Sequence, residues 1–262
     1  PLVIAGQGTV GMEILEQLPA PADYVLAPVG GGGLISGLGS YMKFRSPKTK
    51  IIGVEAEGAP GMTQSLRAGK VVTLEKIDSF ADGTAVRTVG DLTFAICKKV
   101  ADRMVVVPEG KLCATMITLY QRDGIVTEPS GALTIAALDD IAKQIKGKTV
   151  VCIVSGGNND ISRYPEVIER SLVYQGLKHY FLINFSQRPG ALRRYLNDAL
   201  GPTDDITLFE YTKKNNRENG PALVGIELAK KENCKPLLKR MDALGLSYEL
   251  LQTDSPLFRF LV

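Results

Sequence analysis

A run of four glycines is the stretch of this sequence best suited to chemistry. The segment Gly30-Gly31-Gly32-Gly33 follows an apolar run that ends at Val29, and a segment that can form a helix begins at Leu34. Consecutive glycines weaken any regular element, so a chain keeps them where its backbone must come close to something. Between a buried strand and a helix, exposed N–H groups and the helix dipole together favour a phosphate. No Gly-Lys-Ser/Thr follows, as a Walker loop requires, and the simpler alternative is a flexible turn.

A second glycine motif, Gly6-Gln7-Gly8-Thr9-Val10-Gly11, lies near the start of the sequence and matches G-x-G-x-x-G. A dinucleotide site of this type also needs an acidic residue at the end of the second strand, where it holds the ribose. That strand, predicted over residues 24–29, ends in glycine, and Asp23 precedes it at the wrong end of the sheet. We therefore favour a glycine loop that shapes the start of a helix over residues 12–18 near an active site, rather than nicotinamide or flavin binding.

Continuous apolar segments alternate with helical patterns over the first 165 residues. Further strands are predicted over residues 50–54, 104–107 and 149–154, and helices over 34–44, 61–68, 91–100, 109–121 and 132–144. This alternation indicates a parallel sheet covered on both faces, and ligands of such sheets bind beyond the carboxyl ends of the strands. The four glycines, Glu55, Glu128 and Ser155 fall at such ends, so we expect them to converge on one site.

The pattern changes near residue 165. Strands are predicted over residues 178–185, 205–212, 222–228 and 248–251, with helices over 190–200 and 234–244. The order βαββαβ is that of a ferredoxin-like unit with its own core. Residues 213–220 are expected to be a solvated hairpin loop, and 257–262 a short apolar tail. The predicted division is therefore residues 1–165, a linker at 166–176, and a second domain at 177–262.

Composition narrows the class of protein. The 262 residues carry 31 basic and 28 acidic side chains without long runs, a net charge of +3, which argues against nucleic acid or a membrane surface as the main partner. A single histidine, His179, argues against zinc chemistry. The four cysteines lie far apart and form no CxxC pair, so we interpret them as small side chains in a reducing cytoplasm.

Five motifs in order then resemble one family. They are Gly6-Gln7-Gly8-Thr9, Pro28-Val29-Gly30-Gly31-Gly32-Gly33-Leu34, Ala81-Asp82-Gly83, Glu128-Pro129-Ser130-Gly131-Ala132 and Ser155-Gly156-Gly157-Asn158. Together they resemble the biosynthetic threonine dehydratases (threonine ammonia-lyases), which belong to the second fold type of pyridoxal-phosphate proteins. The segment Phe185-Ser186-Gln187-Arg188-Pro189-Gly190-Ala191-Leu192 resembles the ACT-like regulatory domain of that family, in its short form with one such domain.

The resemblance implies an α/β fold and a set of residues that bind pyridoxal 5'-phosphate. The backbone of Gly30-Gly31-Gly32-Gly33, with Leu34, would hold the cofactor phosphate, and Ser155 would hydrogen-bond the pyridine nitrogen. Glu128 would lie near the ring, either with a role in the reaction or as a plain structural carboxylate. Asn158 would buttress the loop after Ser155.

Two further acidic residues, Asp82 and Glu55, are not expected to bind the cofactor or a metal. Asp82 is expected to form an Asx turn next to Gly83. Glu55 resembles a cation ligand of some relatives, but Gly61 stands where a second carboxylate would be expected, so we predict no metal there.

The sequence departs from the family in one large respect. It contains no Ser-Phe-Lys-x-Arg-Gly segment, which in the family carries the Schiff-base lysine, and no small subdomain. We therefore expect this chain to be the C-terminal part of the enzyme, with no catalytic residue of its own and no activity by itself.

For the parent protein, the resemblance implies a cytoplasmic homo-oligomer. It would convert L-threonine to 2-oxobutanoate and ammonia for isoleucine synthesis, with isoleucine as inhibitor and valine as a further effector. The alternatives are a non-catalytic amino-acid-binding module and a serine/threonine dehydratase or racemase of the same fold, against which the regulatory domain argues.

Overall fold

The computed structural model describes residues 1–213, 218–253 and 255–261, without the side chains of residues 259 and 260. The chain divides into two compact units, Pro1–Tyr164 and Pro165–Val262. In the described residues, no helix combines the length and the apolar character needed to cross a membrane.

The first unit is built around a four-stranded parallel sheet. Its strands are β1 (Tyr24–Pro28), β2 (Lys50–Ala56), β3 (Arg103–Val107) and β4 (Val150–Cys152), in the order β3-β2-β1-β4. Its helices are α1 (Leu2–Gln17), α2 (Gly33–Arg45), α3 (Gly61–Ala68), α4 (Asp91–Val100), α5 (Glu109–Thr118), α6 (Pro129–Ala136) and α7 (Ala142–Ile145). The central strand β1 is almost wholly buried, as its continuous apolar sequence predicts.

The N-terminal motif is helical from its first residue, which corrects the prediction of a glycine loop before a helix at residue 12. Helix α1 runs through the whole G-x-G-x-x-G segment and packs along α2. A Cβ atom on Gly37 of α2 would overlap the carbonyl oxygen of Ile4, and one on Gly11 would lie 3.2 Å from the ring of Tyr41. Gly11 and Gly37 therefore let the two helices approach closely, and the motif lacks the loop between strand and helix that a dinucleotide site uses.

Two predicted helices are shorter than the sequence pattern suggests. After α5, a wide turn over Leu119–Asp123 ends at Gly124, whose φ of 68° only glycine adopts readily. The N–H of Ile125 donates to the carbonyl of Leu119, which closes the helix end. The helix predicted at 132–144 starts earlier, at Pro129, a residue favoured at the first helical position. It is then interrupted by a tight turn at Leu138–Ile141.

The second unit is an antiparallel sheet with helices. Helix α8 (Tyr164–Tyr174) leads into β5 (Lys178–Ser186), α9 (Ala191–Asp198), β6 (Asp204–Tyr211), β7 (Asn219–Leu228), α10 (Cys234–Ala243), β8 (Ser247–Leu250) and α11 (Pro256–Leu261). The strand order β6-β7-β5-β8 and the βαββαβ succession confirm the ferredoxin-like prediction. Residues 214–217 of the predicted hairpin loop lie outside the described residues.

Both faces of this antiparallel sheet are covered. Alternate residues of β5, among them Phe181 and Ile183, pack with Tyr195 of α9 and Met241 of α10 in the main core. On the opposite face, Tyr180 contacts Phe258 of α11 edge to face, with ring centroids 5.9 Å apart. Successive side chains of β5 therefore point alternately into two apolar layers, and neither face of the strand is left to solvent.

Replacement of Glu55, which accepts hydrogen bonds at the start of α3, tests how much this helix cap stabilises the first unit. Glu55, 1 % exposed, accepts hydrogen bonds from the N–H groups of Met62 (2.7 Å) and Thr63 (2.8 Å) at the start of α3. We expect Glu55→Gln to lower the free energy of unfolding by about 1–3 kcal/mol, because one buried N–H loses its acceptor. Urea denaturation measures the change. The exposed Glu75→Gln serves as the matched control, with an expected change below about 0.5 kcal/mol; equal effects of both variants would contradict the prediction.

Candidate functional site

The strand order places the candidate site at the point where the direction of chain progression reverses. From β1 the chain builds β2 and β3 on one side, whereas β4 adds on the other side of β1. In open parallel sheets ligands bind outside the carboxyl ends of the strands at this switch point. The four glycines follow β1, and Ser155 follows β4 by three residues, so the two segments flank the switch point.

Unpaired N–H groups cluster at the glycine loop and the first turn of α2. In the part of the chain that the structure describes, no group accepts a hydrogen bond from the N–H groups of residues 30–35. The N–H of Val29 pairs with Val54, and regular helical bonding begins only at Ser36, which donates to Gly32. A helix N-terminus with free donors and the positive end of its dipole is an anion site.

The glycines of this loop differ in what their surroundings allow. Gly32, with φ of 88°, has Met62 and Thr93 so close that a Cβ atom would lie 2.6 Å from the methionine Cε. The Thr93 hydroxyl donates to the carbonyl of Gly31 at 2.5 Å and ties the loop to α4. Cβ atoms at Gly31 and Gly33 would meet nothing within 4 Å. The loop is therefore fixed on its protein side and open on the other.

A tight turn, residues 81–84, packs directly against the first glycine. A Cβ atom on Gly30 would lie 2.9 Å from both Cα and O of Thr84. The N–H of Thr84 donates to the carbonyl of Ala81 (2.9 Å), and its hydroxyl lies 3.1 Å from that of Ser130 in the first turn of α6. The turn thus joins the glycine loop to α6 through buried contacts.

The loop after β4 interlocks with the start of α6 in the same way. The N–H of Glu128 donates to the carbonyl of Gly156 at 3.0 Å. A Cβ atom on Gly156 would lie 2.6 Å from a carboxylate oxygen of Glu128, and one on Gly131 would overlap the Gly156 carbonyl. Ser155 itself is exposed. Glu128 and the Ser155 loop are therefore in contact, as expected for members of one site.

Glu55 makes its hydrogen bonds to α3, and in the described residues it bonds none of the other predicted members of the site. Both its oxygens face the N-terminus of α3, so its carboxylate serves as a helix cap. Burial raises the pKa of this carboxyl, and the hydrogen bonds from α3 oppose that shift. Among residues 1–213, 218–253 and 255–261, no group of three or more His, Cys, Asp or Glu side chains is arranged to hold a metal ion.

Two loop residues behave differently from their predicted roles. Asp82 accepts from the N–H of Gly83 (3.0 Å), close to the predicted turn, but its second oxygen pairs with Arg163 at 3.3 Å. Asn158 is exposed and forms no hydrogen bond within the described residues, whereas the amide of Asn159 is buried. Arg163 and Thr84 lie outside the motifs of the sequence, and Ser130 lies inside one that gave it no role. Only the motif around Gly83 could have pointed to them.

The contact between Gly30 and Thr84 yields a direct test of the loop geometry. We expect Gly30→Ala to lower the free energy of unfolding by about 1–3 kcal/mol, because the new methyl group overlaps backbone that cannot rotate away. Gly31→Ala is the matched control, since its methyl group meets open space, and its effect should stay below about 0.5 kcal/mol. Thermal and urea unfolding measure both. A Gly30 variant as stable as the Gly31 variant would refute this packing.

Comparison with known proteins follows the two units of the fold. Residues 1–156 match the family model described as pyridoxal-phosphate dependent enzyme, and residues 169–261 match the C-terminal regulatory domain of threonine dehydratase. The chain is 55% identical over 260 residues to the biosynthetic L-threonine dehydratase of Halalkalibacterium halodurans, covering 99% of this chain and 63% of that protein. It is 53% identical over 262 residues to that of Bacillus subtilis, covering 100% of this chain and 62% of the relative.

A solved structure also resembles this chain over about two thirds of its length. The processed form of threonine deaminase isoform 2 from Solanum lycopersicum superposes with a TM-score of 0.61 at 43% identity, covering 64% of this chain and 49% of that one. The chain thus spans about three fifths of the length of the curated relatives it matches. With a parallel sheet whose glycine loop presents free N–H groups at the switch point, and with these matches, the chain belongs to the pyridoxal-phosphate dependent enzymes.

Proposed function

We propose that the protein of which these residues are part is a threonine ammonia-lyase, which converts L-threonine to 2-oxobutanoate and ammonia with pyridoxal 5'-phosphate. The observation that carries the proposal is the set of free N–H groups at residues 30–35, next to the switch point that Ser155 also flanks. A phosphate monoester fits this set because it offers several acceptor oxygens and negative charge to a helix N-terminus. The names of the relatives supply the substrate.

The residues present divide the work of holding the cofactor. The backbone of residues 30–33 and Leu34 binds the phosphate, and Thr93 and Met62 keep the loop in the required shape. The exposed Ser155 hydroxyl would hydrogen-bond the pyridine nitrogen and, unlike a carboxylate, would not hold that nitrogen protonated. When bound, the cofactor supplies an electron sink for the carbon that loses its proton.

Glu128 orders the rest of the site. Its backbone and carboxylate both contact Gly156, so it fixes the loop that carries Ser155. The hydroxyl of Thr134 donates to the carbonyl of Ile153 (2.9 Å), which holds the end of β4 against α6. We assign Glu128 this structural role.

Residues 1–262 contain no Ser-Phe-Lys-x-Arg-Gly segment, the motif that would carry the proton-removing lysine. We infer that these 262 residues alone do not deaminate threonine, because no base and no covalent anchor for the cofactor is identified in them. The alternative for the isolated chain is an amino-acid-binding module. The second unit supports that alternative, since it carries a cavity of its own.

That cavity, of about 540 Å³, lies between the loop before α9 and the loop before β8. Arg188 and Arg194 line it, as does Tyr195, which is 1 % exposed and whose hydroxyl has no hydrogen-bond partner in the described structure. Guanidinium groups suit a carboxylate, and the neighbouring apolar side chains suit an aliphatic side chain. We assign the cavity to isoleucine as inhibitor, with valine as a further effector.

Assembly and location complete the proposal. A homo-oligomer is expected of a biosynthetic enzyme with such a regulatory region, and a reducing cytoplasm suits the four free cysteines, of which Cys97 and Cys113 are buried. Size-exclusion chromatography with light scattering tests the first expectation.

Replacement of Ser155 tests the assignment of the cofactor site. In the whole protein, Ser155→Ala should lower the rate of 2-oxobutanoate formation by about 10-fold or more, the value of a lost hydrogen bond at the reacting group. The absorption band of the bound cofactor should also shift, because the environment of the ring nitrogen changes. The exposed Ser162→Ala is the control, because Ser162 bonds the exposed Asp160 and none of the residues assigned to the cofactor. Unchanged spectra and rates in Ser155→Ala would exclude the assignment.

Replacement of Tyr195 tests the effector cavity. Tyr195→Phe should weaken isoleucine binding, measured by calorimetry, by about 5-fold or more, because the ligand loses a buried hydrogen-bonding group. Without isoleucine the same variant should be as stable as the original or slightly more so, since it removes an unpaired buried hydroxyl. The half-exposed Tyr174→Phe should change neither property. Full isoleucine affinity in Tyr195→Phe would place the effector elsewhere.

A further inference from the structure

Arg163 makes a group of contacts that the proposed function leaves unexplained. Its Nη2 donates to the carbonyl of Phe80 at 2.6 Å, and its Nη1 lies 3.3 Å from a carboxylate oxygen of Asp82. Its guanidinium also stands over the ring of Phe80, 5.1 Å from the centroid. The side chain is 25% exposed, and Phe80 is buried. One arginine thus holds the two residues that flank Ala81.

The contacts differ in strength. The ion pair with Asp82 contributes little, because that carboxylate is 65% exposed and screened by water. The hydrogen bond to the Phe80 carbonyl is charge-assisted and short, and the stacking on a buried ring adds a cation–π attraction. Arg163 therefore acts mainly on the backbone and ring of Phe80, directly before the turn at residues 81–84.

That turn is the element that touches the glycine loop. Its backbone at Thr84 leaves no room for a Cβ atom on Gly30, and Gly83 is packed against the hydroxyl of Ser130. The turn is thus held from three sides: by the glycine loop, by α6 and by Arg163. Of these three, only Arg163 lies next to α8 in the chain, because Tyr164 is the first residue of that helix.

We propose that Arg163 is a positioning residue for the cofactor cradle: it holds the turn at residues 81–84 against Gly30 and so fixes the free N–H groups of the glycine loop. The proposal rests on the proposed cofactor site for its functional consequence, but its structural content stands apart from it. Without Arg163 the turn keeps its contacts with Ser130 and loses the hold on Phe80. The glycine loop then samples positions in which its donors no longer converge.

Two variants and a control measure this role in the whole protein. Arg163→Met removes every donor but keeps an apolar stem over Phe80, and Arg163→Lys keeps the charge and one hydrogen bond. Arg122→Met is the control, because Arg122 is an exposed arginine whose partner among the described residues is its neighbour Asp123. The affinity for pyridoxal 5'-phosphate is measured by titrating the cofactor-free protein. In the same cofactor-free samples, the amide resonances of residues 30–33 are recorded with ¹⁵N-glycine labelling.

The expected results separate a positioning role from a merely structural one. Arg163→Met should weaken cofactor binding by about tenfold or more, the size expected for loss of a charge-assisted hydrogen bond. Arg163→Lys should give a smaller loss, and Arg122→Met a change of less than about twofold. The amide resonances of residues 30–33 should move in the Arg163 variants only.

The same measurements can also overturn the positioning role of Arg163. If Arg163→Met lowers the melting temperature but leaves both the cofactor affinity and these resonances unchanged, Arg163 only stabilises the end of the first unit and the proposal is wrong. If Arg163→Met does not fold, unchanged affinity and resonances in Arg163→Lys decide against it in the same way. Failure of the unaltered protein to bind the cofactor would instead overturn the proposed function, and the resonances alone would then decide on Arg163.

Discussion

The first unit depends on backbone that approaches backbone without side chains between. At four places a Cβ atom would overlap or crowd main-chain atoms: Gly37 against Ile4, Gly30 against Thr84, Gly131 against Gly156 and Gly157 against Val126. Such contacts lock loops and helices at distances that side chains forbid, and they leave little room for adjustment. The N–H groups of residues 30–35 can stay unpaired in one arrangement only because the loop that carries them is held this way. Unpaired donors are costly in a folded chain, and this arrangement concentrates them where an anion would satisfy them.

The glycines of the chain therefore serve two different purposes, and the sequence does not distinguish them well. The motif at Gly6, Gly8 and Gly11 has the spacing of a nucleotide loop, yet it lies inside a helix and lets α1 pack on α2. The four glycines after β1 have no recognised spacing, and they present the unpaired N–H groups of the candidate site. What separates the two is the partner: Gly37, 29 residues after Gly8 in the printed sequence, lies opposite the first motif. A local pattern carries no information about a contact with a distant segment, so the sequence predicts a loop where the chain forms a helix.

Elements with a strong internal period were predictable. The apolar run of β1, the alternation of β5 and the apolar stripe of α4 gave the type of each element, because burial on one or both faces imposes the period directly. The positions of Gly30 and Ser155 after β1 and β4 also indicated a shared site, since parallel strands bring their carboxyl ends to one edge. Glu128 was expected at a strand end too, but it follows no strand and precedes α6, so the start of that helix brings it to the Ser155 loop. Three features were not predictable. The cap that Glu55 provides to α3, the turn at residues 81–84 and the clamp of Arg163 all join residues through geometry that no period records.

The candidate site depends on three parts in turn: the glycine loop, the turn at residues 81–84 and Arg163. Each is harder to predict from the sequence than the one before. The unpaired donors of the candidate site are backbone atoms, so they need only glycine and a helix start. Their convergence needs the turn at residues 81–84, which is recognisable only as Asp82-Gly83, a common turn pair. The turn in turn needs a guanidinium from Arg163, about eighty residues further along, and nothing near Arg163 marks it as part of a site. Because a positioning residue acts through shape and not through its own chemistry, its type is constrained by what it holds. An arginine is suited to this task since one planar group can bond a carbonyl, pair with a carboxylate and stack on a ring at once.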